Sequence, residues 1–302
     1  MKDMAEPERT EQERLQERIP RSLGASDYKS VWNAIANVRE HAFELVDEST
    51  SEEQLVASGR QLAPHLVRGL GITTNAVVLE IGCGVARLGR EIAPHAREFW
   101  GLDVSENMVA IARERCAHLP NAHFVAGNGR DLAGIPTGLA DAVYCHAVMI
   151  HMDKEDLYSY IVDAKRVLKP GGLFYFDVWN LAHPIGWLRW QVERALYRTK
   201  ADRPLHRNQF STAQEIRAML QVAGWEVLHL AETMMIQPVV THVPPGVEGE
   251  AYLDALRARY SSCWEALRWQ PGDHAHMAAR MTAHLAEAGR RPEVSPDAPP
   301  LG

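Results

Sequence analysis

Val77-Val78-Leu79-Glu80-Ile81-Gly82-Cys83-Gly84-Val85-Ala86-Arg87-Leu88-Gly89 is the stretch whose reading decides the fold. An apolar run broken by one carboxylate enters a glycine-rich turn, and a helical pattern follows. That order describes a buried strand, a tight turn and a helix N-terminus, the opening of a nucleotide-binding βα unit. Gly82 and Gly84 let backbone approach a ligand with no Cβ in the way, and the helix start offers unpaired N–H groups. The spacing also excludes two nucleotide sites. A dinucleotide fingerprint needs a glycine where this chain has Arg87, and no G-K-[ST] follows to make a phosphate-binding loop. Glu80, just before the turn, would repel a pyrophosphate and suits a ligand that presents a cationic or donor group.

Working outward, the same unit repeats. A strand over Glu98–Leu102 ends at Asp103, and a helix follows through Met108, Ala112 and Arg115. Strands are expected at His123–Ala126 and Asp141–Cys145, then a helix carrying Leu157, Ile161, Ala164 and Leu168. Lys169-Pro170-Gly171-Gly172 has turn chemistry, and Leu173–Val178 is the next strand. Such alternation implies a parallel sheet covered on both faces. Asp103, at a strand end, can accept two hydrogen bonds from a ribose diol; the plainer alternative is a helix N-cap.

Glu80-x-Gly82-x-Gly84, then Gly101 to Met108, then Leu168-Lys169-Pro170-Gly171-Gly172, resemble in order and spacing the class I S-adenosylmethionine (SAM) dependent methyltransferases, small-molecule enzymes of the type 11/12 kind. The resemblance covers residues 77–178 and, more weakly, runs on to 243. Ala86 departs from it, standing where the family usually has a third glycine. The resemblance implies an α/β, Rossmann-like, doubly wound seven-stranded sheet, mostly parallel with an antiparallel last strand. It implies SAM as cofactor. Glu80, Gly82, Cys83 and Gly84 would hold the methionine end, Asp103 the ribose, and Val104 and Met108 the adenine faces. Asn128, with the N–H groups of Gly129 and Arg130, would read the adenine edge, and His146 would face the ligand from the next strand end. His151 aligns with a histidine that, in the similar phosphoethanolamine methyltransferases, works with an N-terminal tyrosine, here Tyr28, to position and deprotonate the acceptor. Its bland alternative is a residue that braces the loop.

The remaining chain divides as follows. Residues 1–25 are charged and are expected to form a mobile tail, with no signal-peptide core. Residues 26–71 form a helical lid: Val31, Ile35, Val38, Ala42 and Leu45 make one helical stripe, and Ser51-Glu52-Glu53-Gln54 is a capping box. Residues 72–248 are the SAM-binding domain, with an insert at 179–210 whose Trp179, Trp187, Trp190 and Tyr197 would act on the acceptor. Arg189, Arg194, Arg198, Lys200, Arg203 and Arg207 give that insert a basic excess, which could meet an acidic substrate or form a solvated face. Pro238 would demote the strand Met234–Val243 to an edge or a bulge. Residues 249–289 read as C-terminal helices and 290–302 as a disordered tail.

Composition narrows the function classes. A net charge of -7 over 302 residues argues against nucleic acid as partner. No apolar run approaches the roughly 20 residues needed to span a bilayer. The 4 cysteines form no C-x-x-C pair, which fits reduced thiols of a cytoplasmic protein. His146 and His151 are not spaced as a helical ligand pair, so no metal site is expected. The reading is a SAM-dependent methyltransferase acting at oxygen or nitrogen of a small molecule, as a monomer or homodimer. The alternatives are a methyltransferase acting on tRNA or protein, and a non-catalytic SAM-binding regulatory protein.

Overall fold

The computed structural model describes residues 27–200, 203–267, 271–295, 297 and 299. The expected tail at 1–25 lies outside them. The chain enters at α1 (Tyr28–Ile35), capped by Asp27, whose side chain accepts from the Lys29 N–H. The stripe expected to form one helix is broken: α2 (Arg39–Asp47) starts after Val38, an extended residue that is 41 % exposed. Asn37, at the break, accepts from the Asn107 side chain and so docks the bend on the domain. Val31, Ile35 and Ala42 are buried as the stripe requires. α3 (Glu52–Gly69) begins at the capping box, where Ser51 Oγ accepts from the Gln54 N–H; Gln54 answers by accepting from the Thr50 N–H. Gly71 ends it in the left-handed region at φ +61°.

The alternating units follow: β1 (Val77–Ile81), α4 (Gly89–Ile92), β2 (Glu98–Asp103), α5 (Glu106–Arg115), β3 (Ala122–Ala126), β4 (Ala140–Cys145), α6 (Lys154–Val167) and β5 (Leu168–Phe176). The expected turn at Lys169–Gly172 is instead an irregular entry into β5, with Gly171 at φ +84° and a register shift against β4. Then come β6 (Val178–Asn180), α7 (Pro184–Tyr197), β7 (Phe210–Ser211), α8 (Ala213–Val222), β8 (Glu226–Glu232) and β9 (Met235–Thr241). Two helices close the chain, α9 (Gly249–Trp264) and α10 (Pro271–Glu287).

The sheet runs β3-β2-β1-β4-β5-β9-β8, parallel through β5 and antiparallel at β9. β6 is the continuation of β5, because both keep one register on β9: Tyr175 faces Val239 and Val178 faces Ile236. The sheet is therefore the expected seven-stranded one, with one strand interrupted at Asp177 and the two-residue β7 added beside β6. β9 is paired on both sides, so Pro238 does not mark an edge. Its missing N–H falls where the β5 ladder is interrupted, and β8 carries an irregularity between Val227 and His229. Both faces are covered as a parallel sheet requires. One core holds Leu66, Ile92, Val109 and Trp264 from α3, α4, α5 and α9; the other holds Ile161 and Leu220 from α6 and α8.

Candidate functional site

The C-terminal ends of β1, β2 and β4 open into one cleft of about 920 Å³, mouth included. Ligands bind at such strand ends in open α/β sheets. The floor is the turn after β1. The N–H groups of Gly82 and Cys83 both donate to Leu102 O, at 2.7 and 3.0 Å, which clamps the turn to β2. Gly82 (φ +73°) and Gly84 (φ +49°) need the freedom of glycine; a Cβ on Gly82 would meet Val148 at 2.4 Å. Ala86, at φ +57°, holds the same left-handed conformation with a side chain, which accounts for the family's glycine there. Arg115 binds the turn from beneath, donating to Val85 O and, from Nε, to Glu52 at 3.0 Å.

Two carboxylates define the cleft's chemistry. Glu80 is 4 % exposed, and its Oε2 has no hydrogen-bond partner. Burial pushes its pKa up to about 8, against the opposing pull of the Tyr144 hydroxyl and Arg87. Asp103 is held rigidly: Oδ2 accepts from the Gly84 N–H and Oδ1 from the Ser105 N–H, both at 2.8 Å. Burial raises it to about 6. Asp103 is not the N-cap of α5; Ser105 is, its Oγ accepting from the Met108 N–H. Each Asp103 oxygen therefore keeps a lone pair for the cleft.

Of the residues singled out from sequence, Glu80, Gly82, Cys83, Gly84, Asp103, Val104, Met108, Gly129, His146, His151 and Tyr28 all line this cleft. Asn128 and Arg130 are not brought to its wall. Asn128 is exposed and its amide closes its own loop, donating to Asp131 and accepting from the N–H groups of Arg130 and Asp131. Tyr28 is a clasp: its hydroxyl accepts from the Asp153 N–H at 2.9 Å, and burial raises its pKa to about 12, so it is a poor source of phenolate. His151 packs edge-on against Trp32 with ring centroids 5.3 Å apart. Burial pushes its pKa down to about 4, which makes it a weak base.

The sequence reading missed what stands behind His146. Its Nδ1 lies 2.7 Å from Oδ2 of Asp177, a fully buried carboxylate whose other oxygen accepts from the Ala147 N–H at 2.7 Å. Asp177 is the residue that interrupts the β5–β6 strand, and the interruption aims it across at the end of β4. Only the strand register brings residues so far apart in sequence together. Arg87, noted for what it excludes, ties the lid to the floor through Asp47 at 3.2 Å and Ser58 at 3.0 Å.

A second cavity adjoins the cleft and shares Leu45 and His151 with it. The insert helix α7 turns Arg189, Glu193, Leu196 and Tyr197 toward this cavity, positions on one helical face. Trp187 and Trp190 stack on each other with centroids 4.8 Å apart and line neither cavity, whereas Trp179 and Tyr197 line the second one. Among the described residues, no cluster of three or more His, Cys, Asp or Glu is placed to hold a metal. No described helix is long and apolar enough to cross a membrane.

Residues 78–172 match the family described as "Methyltransferase domain". A demethylmenaquinone methyltransferase of Tropheryma whipplei (strain Twist) is 34 % identical over 115 residues, which cover 38 % of this chain and 46 % of that protein. Among solved structures, Haemonchus contortus phosphoethanolamine N-methyltransferase 1, in complex with phosphoethanolamine and S-adenosylhomocysteine, superposes with a TM-score of 0.54 at 18 % identity, over 79 % of this chain and 53 % of that one. The magnesium protoporphyrin IX methyltransferase of Synechocystis PCC 6803, with bound S-adenosylhomocysteine, gives 0.50 at 19 % identity, over 66 % and 91 %. Residues 78–172 thus match a methyltransferase domain, and the chain shares the fold of these SAM-dependent methyltransferase structures. It spans about half the length of the curated relative it matches.

Proposed function

We propose that the protein transfers a methyl group from SAM to a small-molecule acceptor. The observation that carries this reading is the pair of buried carboxylates flanking the glycine turn, both lining one cleft. SAM carries an ammonium and a ribose diol, and the cleft offers the Glu80 carboxyl for the first and the open lone pairs of Asp103 for the second. Val104 and Met108 line the same cleft, which supports their flanking a base there. When bound, SAM supplies a methyl group already activated on a sulfonium sulfur.

The chain's own residues then align, exclude water and move a proton. The lid helices α1 and α2 close over the cleft through Tyr28, Trp32, Leu45 and Val46. His146 is the residue best placed to take a proton from an acceptor oxygen or nitrogen. Asp177 Oδ2 stands 2.7 Å from its Nδ1, and a proton held between the two would leave the Nε2 lone pair as the base. This replaces His151 and Tyr28 in the catalytic role expected from sequence; we assign them to closing the site.

Calorimetric titration with S-adenosylhomocysteine tests the donor site. Micromolar or tighter binding is expected, with a stabilisation of about 2.7 kcal/mol at a hundredfold excess over Kd. Asp103→Ala should weaken it at least tenfold. Unchanged affinity in Asp103→Ala would rule out the ribose assignment, and methyl transfer from labelled SAM to a tRNA or protein fraction alone would shift the reading to a macromolecular acceptor.

A further inference from the structure

The cavity beside the donor cleft holds about 1210 Å³, mouth included, and its walls come almost wholly from outside the matched domain. α2 supplies Leu45, α7 supplies Arg189 and Glu193, the loop before β7 supplies His206 and Arg207, and α10 supplies Met277 and Arg280. Three additions to the core thus converge on one space that touches the donor cleft at Leu45 and His151.

Two features say what this space accepts. The first is unsatisfied polarity. Glu193 is 8 % exposed, and its Oε1 accepts from Arg189 and from Asn208 Nδ2, while Oε2 has no partner. His206 Nδ1 and His151 Nδ1 are likewise covered and unpartnered. Buried polar atoms are normally hydrogen-bonded, and three exceptions on one cavity wall mark groups kept for a ligand. The second feature is that the charges are already spent. Arg189 pairs with Glu193 at 2.9 Å, Arg207 with Asp153 at 3.7 Å and Arg280 with Glu48. Burial holds His151 and His206 near a pKa of 4, hence neutral. Of the insert's basic residues, the two that line this cavity, Arg189 and Arg207, are therefore already paired. A cation would find Glu193 and Glu48 already shared with guanidinium groups and Glu44 already engaged. Ile150, Trp179, Met277 and Met281 supply apolar surface between these groups.

We propose that this cavity is the acceptor site and that the acceptor is a neutral, largely apolar molecule bearing hydroxyl or N–H donors, anchored by Glu193 and His206 and presented past His151. The proposal deepens the methyltransferase reading and rests on it. A matched probe set tests it on the full chain loaded with S-adenosylhomocysteine: 2-naphthol, 2-naphthyl phosphate and 2-naphthylmethylammonium, with affinities from calorimetry. 2-Naphthol should bind at least tenfold more tightly than either charged analogue. Met277→Trp, which fills the space, should weaken 2-naphthol at least tenfold and leave S-adenosylhomocysteine affinity within twofold. Should that variant not fold, His206→Ala carries the comparison, with a several-fold loss expected. Preference for a charged analogue, no 2-naphthol binding at millimolar concentration, or wild-type 2-naphthol affinity in the filled variant would overturn the proposal. Failure of S-adenosylhomocysteine to bind would sink the donor-site reading instead, and the same 2-naphthol comparison on the unloaded protein would still decide the neutral-ligand assignment.

Discussion

On the proposed function, Glu80 would couple cofactor binding to pH. Its carboxyl is held up to about 8 by burial, so it is mostly protonated in the free protein at pH 7. An ammonium partner favours the carboxylate, so binding must release a proton. Affinity for S-adenosylhomocysteine should therefore rise as pH increases from 6 to 8, by up to about tenfold per unit. Calorimetry in buffers of different ionisation enthalpy would read the proton directly; a flat profile would show that Glu80 does not meet the ammonium. His146 makes the second prediction at this scale. With an acceptor in hand, His146→Gln should cut turnover by about 100-fold or more while S-adenosylhomocysteine affinity holds, and His151→Gln should cost under tenfold. The reverse order would return the base to His151. Asp177→Asn should shift the His146 ring tautomer in ¹⁵N spectra, a change that mere loss of packing would not cause. Glu80 and Asp103 were legible because Glu80 stands two residues before Gly82 in the glycine turn and Asp103 is the last residue of its strand. The Asp177–His146 pair was not, since it depends on which strands lie side by side, and no local pattern carries that.

The elements tell a similar story. The βα alternation was readable from periodicity, and the α3 cap from Ser51; the cap of α5 was not, since the sequence offered Asp103 for it and Ser105 takes the place. The break between α1 and α2 was not, because Val38 continues the apolar spacing that a single helix would show; tertiary docking of Asn37 on Asn107 overrides it. Within the insert, the tryptophans drew the eye, yet α7 faces the second cavity with Arg189 and Glu193. What fixes that face is Gly186: a Cβ there would lie 1.8 Å from Asn180 O, so helix and β6 touch backbone to backbone. Gly186→Ala should destabilise the fold by about 2–3 kcal/mol through overpacking. Urea denaturation checks this, and a change under about 0.5 kcal/mol would mean that α7 is not seated on β6.

Across the whole molecule, the lid is held by an apolar cluster around Val31, Ile35 and Phe43, by Asn33 and Asn37 on Ser105 and Asn107, and by several further ties. Tyr28 clasps Asp153, Arg87 holds Asp47, and Arg280 on α10 pairs with Glu48 at the end of α2. Tyr28→Phe removes one hydrogen bond worth about 1 kcal/mol without changing the ring's packing. Opening of α1 should become several-fold more frequent, visible as faster hydrogen exchange over residues 28–35, with S-adenosylhomocysteine restoring most of the protection. Exchange identical to wild type would show that the hydroxyl does not hold the lid.

The placement of the second cavity bears on how such a protein changes over generations. The groups that would read the donor stand on β1 and β2, where a substitution disturbs the sheet itself. The groups that would read the acceptor stand on α2, α7, the loop before β7 and α10, none of which is a strand of the main sheet. Selection can rewrite those segments while the donor grip stays as it is, so a lineage built on this frame can shift its acceptor without first rebuilding its methyl supply.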